Sequence, residues 1–227
     1  MLLATPMATL TARARQATSA QNRVDLGAFI KELMVVKLNS EQTQLAMWLP
    51  FEFFLEAGLA EGGKSRSQVE NDLAFLKPYH AIFVQSSLDQ ADGSSLYATE
   101  NEVLGRASLM LEDGTQLKPL DKIPPLVSAA LAAMKAVIRA EGDAGSANLH
   151  ILLFPSANND KPVIDAGKKG KLTLVMKGDK RFKQEVFNWY TPFDAINHGL
   201  TCQRCKESIS VKWSYCPWCG AAIERKR

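Results

Sequence analysis

The stretch Pro50 to Ser65, PFEFFLEAGLAEGGKS, admits two folds. Its last eight residues satisfy the phosphate-loop pattern GxxxxGK[ST]. If Phe53-Phe54-Leu55 were a buried strand, Gly58 and Gly63 would free the backbone to wrap phosphates. Lys64 would then neutralise them and Ser65 would hold magnesium, within a parallel nucleotide-binding sheet. The spacing favours a helix instead. Pro50 suits the first helical position, and Phe51, Phe54, Leu55 and Leu59 fall on one face with Glu52 and Glu56 on the other. Gly62-Gly63 then turns the chain. Ser67-x-x-Glu70 reads as a capping box, opening a second helix that carries Val69, Leu73 and Leu76 and stops at Pro78. Nucleotide binding through Gly58, Gly63, Lys64 and Ser65 stays as an alternative that the flanking chain would have to support.

Working outward, the flanks do not alternate strand and helix as a parallel sheet requires. Val24 to Met34 has helical spacing and leads into a strand-like Val35 to Leu38. On the other side, Ala81 to Gln85 reads as a strand. Val103 to Leu111 and Thr115 to Leu120 flank Asp113-Gly114, a hairpin signal because both turn residues tolerate positive φ. Pro124-Pro125 opens an Ala-rich helix to Ala140, closed by Gly142. Leu149 to Phe154 and Leu172 to Met176 are buried-strand runs separated by a polar loop. Residues 24–186 therefore read as one α+β domain, a mixed or antiparallel sheet with flanking helices.

Residues 1–23 carry Arg13, Arg15 and Arg23 and no acid, a composition that fits a loose tail or an organellar targeting segment. The richest apolar run, Leu45 to Leu59, is interrupted by Pro50, Glu52 and Glu56, so no membrane span is expected and the reading is a cytoplasmic protein. Charge is uneven. The chain carries a net +3, but residues 161–227 hold 14 Lys or Arg against 6 Asp or Glu. A basic third of that kind favours an acidic protein face or a nucleic acid as partner.

All four cysteines lie near the C-terminus, as Cys202-Gln-Arg-Cys205 and Cys216-Pro-Trp-Cys219. Two C-x-x-C turns present two thiolates each, and the chain between them brings the pairs together, as a tetrahedral metal needs. One structural Zn2+ is expected, with iron in the same thiolate cage as the alternative. A redox dithiol would sit near a βαβ unit, and disulfides would need an oxidising compartment. Four thiolates leave no open position for water or substrate. Residues 200–223, above all Tyr215-Cys-Pro-Trp-Cys-Gly220, resemble the zinc-ribbon family. The resemblance implies two knuckles on short antiparallel strands, and the alternating Ser208 to Trp213 is expected to be one of those strands. Residues 200–227 are accordingly expected to form a ribbon.

Residues 187–199 connect the body to the ribbon and hold the densest aromatic cluster, Phe187, Trp189, Tyr190 and Phe193. Trp189, Tyr190 and Phe193, with Arg204, Lys206, Lys212, Trp213 and Trp218, are the candidates for engaging a protein partner, or alternatively single-stranded nucleic acid. They could instead seal the ribbon against the body. His80, His150 and His198 are scattered, His150 reads as a core histidine, and no catalytic constellation stands out. The expectation is a zinc-binding, non-catalytic binding or assembly component.

Overall fold

The computed structural model describes residues 24–111, 113–141, 148–197 and 200–223. The N-terminal tail, Gly142 and His198 lie outside them. Helix α1 (Leu26–Leu33) begins where Asp25 accepts hydrogen bonds from the Gly27 and Ala28 N–H groups at 2.9 and 3.1 Å. These two bonds satisfy donors that a helix start otherwise leaves free. Leu26, Phe29 and Leu33 are buried. The chain then enters β1 (Met34–Leu38), antiparallel to β2 (Gln42–Leu49). The inward positions of β2 are Gln42, Gln44, Ala46 and Trp48. Two buried glutamines disguise the apolar alternation, so periodicity alone passes over this strand.

The deciding stretch is helical. Helices α2 (Phe51–Ala60) and α3 (Arg66–Asp72) are joined by a turn in which Gly62 and Gly63 take φ of 78° and 81°. Pro50 is the N-cap of α2 and not its first residue; α2 buries the expected Leu55 and also Phe53, with Phe54 half-buried. The capping box also differs from the expected one. Ser65 Oγ accepts the Gln68 N–H at 3.3 Å and Gln68 Oε1 accepts the Ser65 N–H at 2.8 Å, two residues before Ser67-x-x-Glu70. The glycine turn is complete by Lys64, so the helix starts at Arg66. Gly58 has a packing reason: a Cβ there would stand 2.6 Å from Val69 Cγ1.

Strand β3 (Tyr79–Asp89) is the spine of the first sheet. It pairs with β2 along one edge; on the other it meets β7 (His150–Pro155) over its first half and β4 (Ser95–Tyr97) near its end, all antiparallel. Helix α4 (Glu100–Arg106) occupies the start of the run expected to be a strand from Val103. Thr99 and Glu102 form a reciprocal capping box, the Glu102 carboxylate accepting the Thr99 N–H at 2.8 Å. That local signal overrides the β-branched character of Val103, and the strand β5 (Ala107–Met110) begins only after it. β5 pairs with β6 (Gln116–Leu117) across the expected turn, where Gly114 has φ 83°. Helix α5 (Pro125–Glu141) follows.

The second sheet has the order β11-β10-β5-β6, where β10 is Gly170–Met176 and β11 is Glu185–Thr191. A two-residue hairpin, β8 (Ala157–Asn158) with β9 (Lys161–Pro162), lies between β7 and β10. One apolar core spans both sheets, and it includes Phe187, Trp189 and Phe193 from the aromatic segment. The Trp48 ring lies 6.2 Å from that of Trp189 and 5.4 Å from that of Phe193. Polar contacts join the sheets too: Gln42 Oε1 accepts the Lys183 N–H at 2.9 Å, and Gln44 Nε2 donates to the Lys183 carbonyl at 3.1 Å. The architecture is α+β with antiparallel sheets, and no described helix is long and apolar enough to cross a membrane.

Candidate metal centre

After β11 the chain makes a helical turn at Ala195–Asn197 and enters β12 (Leu200–Thr201), paired with β13 (Ser208–Ile209). The strand expected to reach Trp213 ends at Ile209, because Ser210 and Val211 turn aside to bind Asp194. The two cysteine turns are built alike. In the first, the Lys206 N–H donates to the Cys202 carbonyl at 2.9 Å; in the second, the Gly220 N–H donates to the Cys216 carbonyl at 2.9 Å. The residue after each second cysteine is left-handed, Lys206 at φ 65° and Gly220 at φ 72°.

These turns converge. The Cys202 and Cys219 sulfurs are 3.6 Å apart, as are those of Cys205 and Cys216, and all four lie within 4.8 Å of one another. No disulfide joins them. Tetrahedral thiolates about 2.3 Å from a zinc would be about 3.8 Å apart, so the cage has the dimensions of a four-sulfur metal site. Cys202 and Cys216 are buried with Ile209, and Leu200, Ala221 and Ile223 pack around them. So small a core does not hold two turns together unaided, and a bound ion would supply the missing stabilisation.

The cluster favours partial ionisation. The N–H of Cys205 lowers the Cys202 thiol to about 6, helped by the Arg204 N–H and opposed by burial. Cys205 is raised to about 12: the Glu207 N–H lowers it, but burial and the sulfurs of Cys202, Cys216 and Cys219 outweigh that pull. Neighbouring thiols cannot all ionise without a cation between them.

The cage is attached to the body through two carboxylates. Glu32 of α1 accepts the N–H groups of Asp194 and Ala195 at 3.0 and 2.8 Å and pairs with Lys212 Nζ at 2.9 Å. Asp194 accepts from Ser210 Oγ at 2.8 Å and the Val211 N–H at 2.7 Å.

The remaining candidates separate by exposure. Trp189 and Phe193 are core residues, Trp189 Nε1 donating to the Leu33 carbonyl at 2.6 Å. Lys212 is engaged with Glu32. Tyr190 is exposed on β11, 5.9 Å from Lys171 Nζ, while Arg204 reaches the Cys219 carbonyl at 3.4 Å. Trp213 is 40% exposed and Trp218 66%. Tyr215, which directly precedes Cys216 and lies outside the expected partner-binding set, is also 66% exposed. Four lysines and arginines of the basic C-terminal third are paired with acids: Lys168 with Asp165, Arg181 with Glu102, Lys183 with Glu41 and Lys212 with Glu32. In the glycine stretch, Lys64 is paired with Asp72, Ser65 caps α3, and a helix precedes Gly58 where a phosphate loop needs a strand. His150, expected in the core, is only half-buried, with its Nε2 2.8 Å from the Ala98 carbonyl.

Comparison with protein-family models, curated proteins and solved structures returned no match.

Proposed function

We propose that the protein is a non-catalytic binding or assembly component. Cys202, Cys205, Cys216 and Cys219 hold one structural Zn2+ in a ribbon that docks a protein partner. The observation that carries this reading is the exposure of Tyr215 and Trp218 on the second cysteine turn. A metal-held unit with so small a core gains nothing for its own folding by displaying two large aromatics, whereas such side chains concentrate binding energy in protein interfaces. Arg204 and Lys206 in the first turn add positive charge complementary to an acidic face. The ion pairs along the body reduce the free positive charge that a nucleic-acid surface would use.

The test is photo-crosslinking from a probe amino acid placed at position 218 in the full chain. The reading expects one protein adduct that disappears in Tyr215→Ala and after zinc chelation, while the body stays folded. Adducts to nucleic acid whose yield falls steeply with salt would overturn it, because phosphate contacts release counterions.

A further inference from the structure

Strand β1 is an open edge. Among the described residues it pairs with β2 alone, and the other flank of β2 is taken by β3. Two bonds at the strand ends fix the phase of its backbone. The Asn39 N–H donates to the Gln42 carbonyl at 3.1 Å, and the Asp89 N–H donates to the Glu41 carbonyl at 3.0 Å. In an antiparallel ladder the bonded pairs recur at every second residue, so Val35 and Lys37 turn their backbone groups toward β2. Val36 and Leu38 then turn their N–H and C=O groups outward, and such a row is a template for another strand.

The side chains along this edge are apolar. Met34, Val36 and Leu38 lie on one face and are 40%, 42% and 73% exposed. They stand opposite Met47, Leu45 and Thr43, all three only half-buried. The register with β2 runs unbroken from Met34 to Leu38, so no bulge bends the edge away, and the strand holds no proline. Its one charge is Lys37, half-buried on the opposite face.

Lys37 selects what can add to this edge. Outward backbone groups must meet outward groups, so two antiparallel copies of β1 pair about an axis that passes through a residue. Centring on Lys37 sets two lysines directly opposite each other, which is destabilising. Centring on Val35 leaves Leu38 without a strand residue opposite. Centring on Val36 overlaps all five residues: Val36 meets its own mate, Met34 meets Leu38, and Val35 meets Lys37. The apolar row then runs on across the junction, and the lysines stay apart.

We propose that β1 is a self-association edge, to which a second copy of this chain adds its own β1 about a two-fold axis through Val36. The two five-stranded sheets become one, and the outward groups of Val36 and Leu38 gain partners. A contact of five residues per chain is small for a specific interface, so the dimer is weak, with a Kd of roughly micromolar order. This surface is independent of the cysteine cage and its partner.

The experiment is sedimentation velocity of the purified full chain from micromolar to near-millimolar concentration. A monomer–dimer equilibrium is expected, with amide exchange at Val36 and Leu38 slowing as concentration rises. Val36→Lys and Val36→Glu should each weaken the dimer about tenfold or more, because each sets like charges on the axis. Mixing the two variants should restore it as a heterodimer. Leu126→Lys, at an apolar residue 61% exposed near the start of α5, should change nothing. If either Val36 variant does not fold, wild-type sedimentation and the concentration dependence of Val36 and Leu38 exchange decide. A monomer throughout, a dimer that Val36→Lys leaves intact, a variant mixture that stays monomeric, or a dimer that metal chelation dissolves would each overturn the proposal.

Discussion

Gly220 takes a φ of 72° with nothing within 4 Å of where a Cβ would stand, so the cost of a side chain there is conformational and not steric. Gly220→Ala should destabilise the second cysteine turn by about 1 kcal/mol, read as weaker zinc retention against a chelator. Lys206 already occupies the equivalent position at φ 65°, so by the same argument Lys206→Gly should strengthen retention by about 1 kcal/mol. His80 gives a pH signature. An unfolded histidine protonates near pH 6.5, whereas the buried ring does so at about 4. Between those values the unfolded chain holds more protons, so stability is fully present above pH 6.5 and falls as the pH drops toward 4. The slope should approach 1 kcal/mol per pH unit, to order of magnitude, in urea titrations. His80→Leu should flatten that window; an unchanged slope would show that His80 is not the group responsible.

At the scale of elements, two capping devices carry predictions. Thr99 caps α4 where strand propensity would otherwise extend β5, so Thr99→Ala should cost about 1 kcal/mol of global stability in urea unfolding. Asp194 receives two bonds from the cysteine-centred segment, and Asp194→Ala should accelerate amide exchange at Val211 by about tenfold or more without changing metal retention. Legibility varied at the same scale for physical reasons. Helix α5 and strands β7 and β10 were visible because their composition and their flanking prolines or glycines agree with their tertiary roles. β2 was hidden by buried Gln42 and Gln44, whose partners lie about 140 residues away at Lys183 and Glu185. α4 was obscured because Val103 suggests a strand, although Thr99 and Glu102 already held the capping signal. The cysteine spacing was informative in itself, since both C-x-x-C pairs are local; the Glu32–Asp194 link depends on contacts between distant segments and leaves no mark in either one.

For the molecule as a whole, a large two-sheet core and a small cysteine-centred unit should respond differently to loss of metal. Chelation should open the cysteine-centred unit and expose its amides to exchange, while the body, whose core does not include the four cysteines, should keep its cooperative thermal transition within a few degrees. The α+β class followed from reading Pro50 to Ser65 as a helix and a turn that leads into a second helix. The environment of His80 could not be found that way, because an isolated histidine carries no sign of whether its buried ring nitrogens will find partners.

The most direct test of the account is native mass spectrometry of the purified full chain with elemental analysis. The account predicts one zinc per chain, at a mass showing four reduced cysteines whose thiol protons the ion has displaced into solvent. A metal-free chain lighter by four hydrogens, as two disulfides would make it, or iron in place of zinc, would contradict it.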